Sequence, residues 1–381
     1  MVIPGIISFL EHIKRYKNRK IGILTHQAAC TLNFEFTLVA ILNKGLDVKV
    51  VFAPEHGFFS EEQDQKPVNN AQLYGIPVIS LYKHTPMPDK EQLSLIDTLI
   101  IDLVDVGARY YTYVWSSVLL LKELSGLDIE VIILDRPNPL GGEFMEGFVL
   151  RKEFFSFVGL LPVPVVHGMT IGELLLMARD FYNIDLKITI YPVKGWKRDM
   201  KYQDTGLWFI PPSPNMPYIT TSMVYPGMCL LEATNISEGR GTTRPFEIFG
   251  APFIDPFKLV KALGDVEGAV VRPYYFIPTF NKYAGMRVGG GFVHVMDPDR
   301  YRPFEFGIKL LATLNRLYPD EFRFKDPPYE FEYEKMPIDI LTGSDFIRKN
   351  IDNLNMKELG ALWQKDIEEF KKMREQYLLY A

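Results

Sequence analysis

The sequence predicts an α/β molecule: a doubly wound, mainly parallel sheet over residues 1–228, joined to a smaller α/β domain over 229–381. Three observations predict it. Strand-like and helix-like patterns alternate through residues 1–135, which implies parallel pairing with crossover helices. The chain has 381 residues, room for about two or three domains. Residues 204–228, rich in Pro, Gly, Ser and Tyr, read as a long irregular crossing segment and set the boundary near their end.

Taken in order, the strands are the apolar runs Ile21–Thr25, Val48–Ala53, Val78–Leu81, Thr98–Asp102 and Val131–Asp135. Between the first two, Phe34, Leu38, Ile41 and Leu42 recur at helical spacing and Gly45 supplies a stop. After the fourth, Val114, Val118, Leu121 and Leu124 form a second stripe ending near Gly126. Val163–Val166 opens a further βα unit, whose helix starts at a Thr170/Glu173 capping box before Leu174, Leu175, Ala178 and Phe181. Strands at Val270–Pro278 and Gly291–Met296 follow, then a terminal helical face of Leu359, Leu362, Trp363, Ile367, Phe370 and Tyr377. The grammar is Rossmann-like. Yet Thr25, His26, Gln27 and Ala28 follow the first strand where GxGxxG would stand, so no dinucleotide or other cofactor is expected.

Composition narrows the function classes. Hydrophobic residues make up 47% and charged residues 23%, which excludes a disordered or coiled-coil chain. Acids exceed bases by 47 to 42, so the basic excess of a nucleic-acid binder is missing. Cys30 and Cys229 lie far apart in apolar surroundings and read as buried structural thiols. No apolar run is long enough to span a membrane, and the start lacks a cleavage signal. A cytoplasmic location is expected for the chain as it stands, an extracytoplasmic one if a leader preceded it. Oligomeric state stays open.

In an open parallel sheet, ligands bind beyond the carboxyl ends of the strands, and here those ends carry reactive residue types. His26 follows the first strand; Pro54, Glu55, His56 and Gly57 the second; Asp102, Asp105 and Arg109 the fourth; Asp135, Arg136 and Asn138 the fifth; and His167 the Val163–Val166 run. Acid, base and anion-binding groups are thus expected on one rim. Each also has a plain structural reading: Asp135 as a turn cap, Asp102 with Arg109 as an internal ion pair, His167 as a core histidine. Glu55 stands out, because Pro54 and Gly57 bracket it in a tight turn beside His56. A second group lies at 232–245, where glycines flank Arg240 and Glu232, Glu238, Thr242 and Arg244 offer hydrogen bonds to a polyhydroxylated or carboxylated ligand. Asn215, within Pro211–Met216, offers an amide to a sugar.

The stretches FAPEHG (52–57), DVGARYYTY (105–113), LDRPNPLGG (134–142), VHGMTIGEL (166–174), KGWKRDM (194–200), PPSPNMP (211–217), YPGMCLLEATNISEGRGTTRPFE (225–247) and YLLY (377–380) resemble the NamZ-type exo-β-N-acetylmuramidases over nearly the whole chain. The resemblance implies a Rossmann-like domain joined to a smaller α/β domain, an active cleft between them, and release of N-acetylmuramic acid from the non-reducing end of peptidoglycan fragments. The chain departs from the family pattern at Thr25–Gln27, Phe59–Ser60 and Leu103–Asp105, close to the inferred rim.

Glycoside hydrolysis needs an acid for the leaving oxygen and a second group for the oxocarbenium-like centre. Glu55, assisted by His56, is the expected acid/base. The second group is Glu238, Asp105 or the substrate's own acetamido oxygen. Arg109, Arg240 or Arg244 would hold the lactyl carboxylate, and Tyr110, Tyr111 and Asn215 would line the sugar site. Two rivals remain: a metal-dependent hydrolase using His56, His167, Asp102 and Asp135, and a saccharide-binding protein without turnover.

Overall fold

The computed structural model describes residues 1–63, 71–82, 88, 90–355 and 358–381. Seven strands, β1 (Lys20–Thr25), β2 (Asp47–Ala53), β3 (Ala71–Leu73), β4 (Ile76–Ser80), β5 (Thr98–Asp102), β6 (Glu130–Leu134) and β7 (Lys187–Tyr191), form one sheet in the order β3-β4-β2-β1-β5-β6-β7. Only β3 against β4 is antiparallel. The central strands are buried on both faces, which is why they read as continuous apolar runs rather than alternating ones. The five N-terminal runs correspond to β1, β2, β4, β5 and β6.

Helices cover the faces where the stripes predict them. Thr37–Asn43 follows β1, Tyr113–Leu124 follows β5, and Ile171–Phe181 begins at the capping box, Glu173 N donating to Thr170 and Thr170 N to Glu173. Three expectations need correction. Phe34 is outside its helix: it sits at φ +61° in the preceding turn and is 55% exposed. Val163–Val166 is a buried connection, not a strand: isolated bridges join Val166 to Ala108 and Glu146, and the Val163 and Val165 carbonyls accept from Leu150 N and Arg109 N. Its side chains are apolar because they fill the core, and periodicity cannot separate that role from a strand over so few residues. The sheet strand instead is β7, whose half-exposed edge position leaves a weak apolar signal.

The segment 204–228 is irregular only to Tyr218; Ile219–Met228 is a buried helix with Pro226 near its end. Beyond it, β8 (Ile248–Ala251), β9 (Ala269–Phe276) and β10 (Val288–Val295) form an antiparallel sheet in the order β8-β10-β9. Helix Pro256–Leu263 packs on β9 and β10, and helix Pro303–Leu317 packs on that helix and crosses Ile219–Met228 at Gly227 and Gly307. A Cβ on Gly227 would stand 1.8 Å from the Pro303 carbonyl oxygen, so the crossing requires glycine. In the terminal helix Ala361–Arg374 the inner face is Trp363, Ile367, Phe370 and Arg374, while Leu362 points outward at 39% exposure.

A single hydrophobic cluster runs through both units, from Leu24, Phe52 and Ile101 to Leu230, Phe249, Leu310 and Phe370. Polar ties reinforce it. Glu146, in the loop after β6, accepts from Phe304 N and Glu305 N at 3.0 and 2.9 Å and so caps helix Pro303–Leu317. The C-terminal tail returns to the first sheet, where Tyr380 OH donates to Asp135 at 2.5 Å and Leu379 N to Glu173 at 2.9 Å.

Candidate active site

The turn after β2 places the sharpest sequence candidate. His56 and Gly57 adopt left-handed backbone angles, φ +71° and +82°, and Gly57 N donates to the Pro54 carbonyl. A non-glycine residue in that region is strained, a feature that gathers at functional sites. The turn swings Glu55 inward to 5% exposure, where Thr112 Oγ1 donates to its Oε2 at 2.6 Å. Glu55 Oε1 is buried and accepts no hydrogen bond from the chain. His56 Nδ1 lies 2.8 Å from the Glu62 carbonyl. A carbonyl can only accept, so Nδ1 carries the proton and the neutral ring keeps Nε2 as acceptor.

Glu55 and His56 line a narrow cleft, together with Tyr110, Tyr111, Asn215, Glu232 and Arg240. Loops from both units meet here. Tyr110 OH donates to the Pro226 carbonyl at 2.7 Å, and Tyr111 packs against Tyr113 and Tyr225. Asn215 Nδ2 donates to Gln63 at 3.0 Å. Arg240 pairs with Glu232 at 2.9 Å and with Glu238 at 2.9 Å, and lies over the Phe246 ring. Burial opposes the charge on Glu238, but Lys282 and Arg240 prevail and hold its carboxyl at about 2.

The cleft also contains residues the sequence did not single out: Thr112, Ser213, Tyr225, Tyr329 and Glu330. Tyr329 OH donates to Glu232 at 2.7 Å, and Tyr82 OH to Glu330 at 3.0 Å. Thr112 sits inside the quoted RYYTY stretch, where a hydroxyl beside three tyrosines was the available signal. Tyr329 and Glu330 come from a distant loop with no motif around them.

The remaining predicted residues lie elsewhere, each for a visible reason. Arg109 is 1% exposed and donates to the carbonyls of Phe148, Val163 and Leu341, so it binds the core together rather than a ligand; burial lowers its pKa to about 10. Its expected ion-pair partner Asp102 is instead held by Arg136 and Thr37. Asp135 accepts from Thr170, Gly172 and Tyr380, the turn-capping role. Asn138 bridges Met169 O and Leu140 N. His26 and His167 are core histidines whose pKa values burial lowers to about 3; His26 accepts from Val104 N and His167 from Met169 N. Glu238 backs Arg240 from outside the lining. Thr242 closes a local turn onto Gly239, and Arg244 pairs with Glu247 over Tyr218, outside the cleft. Asp105 and Arg136 line a different cavity.

His56, His167, Asp102 and Asp135 therefore do not converge. Among the described residues no three His, Cys, Asp or Glu side chains are grouped as metal ligands, and no helix is long and apolar enough to cross a membrane.

Comparison with known proteins gives this arrangement its context. The chain is 38% identical over 387 residues to the peptidoglycan β-N-acetylmuramidase NamZ of Bacillus subtilis (strain 168), covering 100% of this chain and 91% of that one. Two crystal structures of DUF1343 family proteins from Bacteroides fragilis NCTC 9343 superpose on it with TM-scores of 0.87 and 0.75 at 28% and 30% identity, each covering 100% of this chain and 99% of the other. The family models for the N-terminal and C-terminal parts of exo-β-N-acetylmuramidase NamZ match residues 21–220 and 223–380. With both halves matched in order, the chain belongs to the NamZ family of exo-β-N-acetylmuramidases.

Proposed function

We propose that the cleft hydrolyses the glycosidic bond of a non-reducing-terminal N-acetylmuramic acid in peptidoglycan fragments, with Glu55 as the acid/base. The observation that carries this is the buried Glu55 carboxyl, pinned at one oxygen by Thr112 and lining a cleft where both units contribute side chains. Because Oε2 is engaged as an acceptor, Oε1 is the oxygen that carries the transferable proton. It delivers that proton to the leaving oxygen and takes one back from the attacking water. His56, with Nδ1 committed to Glu62, presents Nε2 as an acceptor that orients a hydroxyl or water.

Positive charge develops on the sugar ring as the bond breaks, and Glu330 is a further carboxyl in the lining, from the opposite unit. Arg240, held by Glu232 and Glu238, is the guanidinium in the lining and the group assigned to the lactyl carboxylate by its position, since Arg109 lies in the core and Arg244 outside the cleft. Tyr110, Tyr111 and Tyr225 give flat walls for a pyranose.

Incubation with MurNAc-GlcNAc disaccharide followed by mass analysis tests the reading: monosaccharide products are expected, and an intact disaccharide bound without cleavage would favour a binding protein instead. Glu55→Gln should abolish turnover of a chromogenic N-acetylmuramide at an unchanged melting temperature. Retained turnover in that variant would remove Glu55 from the role.

A further inference from the structure

A second cavity, open to solvent, lies at the carboxyl ends of β1, β5 and β6. The connections from β1 and β5 run in opposite directions there, the place where doubly wound sheets hold ligands. None of Glu55, Glu232 or Arg240 lines it, so it is distinct from the cleft. Two loops serve both: the one after β5 gives Asp105 to this cavity and Tyr110–Thr112 to the cleft, and the 210–216 segment gives Ile210 to one and Ser213, Asn215 and Met216 to the other.

The chemistry of the lining points to an uncharged, hydroxyl-bearing ring. Arg136 is committed to Asp102 at 2.5 and 2.9 Å and to the Cys30 carbonyl, so it offers no open anion site. Asp105 is 8% exposed; Oδ2 accepts from Gly107 N, while Oδ1 accepts nothing from the chain. Burial pushes this carboxyl up to about 7, against the pull of the Val106 and Gly107 amides. A buried polar atom without a partner costs stability that a ligand donor would recover. At the mouth, Trp208 is 78% exposed, whereas Trp115, Trp196 and Trp363 are at most 4% exposed. Phe34 and Leu32 stand beside it at 55% and 37%. An exposed indole over a polar base is a platform for the apolar face of a pyranose.

We propose that this cavity is a second saccharide site that takes an uncharged N-acetylhexosamine unit, its ring on Trp208 and a hydroxyl or acetamido N–H on Asp105. The choice of saccharide rests on the glycosidase reading; the cavity and its neutral lining do not.

The test is titration of the whole chain with N,N′-diacetylchitobiose, which lacks a lactyl carboxylate, followed by tryptophan fluorescence and calorimetry. Saturable binding with a blue shift is expected, weakened about tenfold in Trp208→Ala and in Asp105→Ala, and retained in Glu55→Gln. Trp208 is exposed, so its replacement reads the site even if the Asp105 variant folds poorly. Absence of saturable binding, equal affinity in Trp208→Ala, loss in Glu55→Gln, or binding of NAD in place of the disaccharide would each overturn the proposal. Turnover of a chromogenic N-acetylmuramide, measured on the same preparation, reads the cleft separately, so failure of either assignment leaves the other standing.

Discussion

At the scale of single residues, the cleft and the second cavity each turn on how one buried carboxyl is held, Glu55 in the first and Asp105 in the second. Glu55 receives one short hydrogen bond, from Thr112, and that bond decides which oxygen is left for chemistry. Thr112→Val should lower kcat by about ten- to a hundredfold, because the carboxyl loses the donor that fixes its orientation. Thr112→Ser should restore it; a Ser variant as impaired as Val would mean that the methyl group, not the hydroxyl, matters. Asp105 offers a contrasting test on stability. Its folded pKa of about 7 lies above the ordinary value of 3.8, so its contribution to stability is complete at low pH and is lost as pH rises through about 7. His26 and His167 act in the opposite sense, stabilising above their ordinary value and losing that contribution as pH falls toward about 3. The effect of Asp105 is therefore isolated only by difference: Asp105→Asn should gain stability relative to wild type between about pH 4.5 and about pH 8 in urea titrations. A difference independent of pH would show that burial does not perturb this group.

At the scale of elements, helix Pro303–Leu317 ties the second unit to the first. Its N-terminus is capped by Glu146 from the opposite unit, and its first turns cross Ile219–Met228 through Gly227 and Gly307. Glu146→Ala removes the acceptor for two buried amides and should cost about 1–3 kcal/mol in denaturant unfolding, with Glu146→Gln recovering part of it. Gly227→Ala drives a methyl group into the Pro303 carbonyl at 1.8 Å, and backbone cannot rotate aside as a side chain can. That variant should lose more stability than Glu146→Ala and should also disturb Pro226, whose carbonyl holds Tyr110 in the cleft wall. The cap was not legible in the sequence, since Glu146 and Phe304 are 158 residues apart. The Thr170/Glu173 cap was, because both partners lie within one turn.

At the scale of the whole molecule, the C-terminal tail closes the structure by returning to the first sheet. Tyr380 OH receives Val193 N at 3.0 Å and donates to Asp135 at 2.5 Å, joining the last residues to the ends of β6 and β7. Tyr380→Phe should lower the unfolding free energy by about 1.5–3 kcal/mol, the range for a hydrogen bond to an ionisable group, and an unchanged melting temperature would show the tail to be ornamental. The sequence by itself determined the parallel sheet, the helices at Thr37–Asn43, Tyr113–Leu124, Ile171–Phe181 and Ala361–Arg374, and the PEHG turn with Glu55 in it, because strand burial, helical periodicity and turn chemistry are local and write their period into neighbouring residues. It also carried the family likeness, through many long segments in order. Only the tertiary structure decided which strand-end groups share a cleft. Arg109, Asp102, Asp135, Asn138 and His167 occupy the expected rim yet are spent on carbonyls, amides, hydroxyls and the Arg136 guanidinium, while Tyr329 and Glu330 arrive from a distant loop to line the cleft. A strand end fixes where a side chain starts; the partners that satisfy it when buried come from anywhere in the chain, and that choice is made by packing.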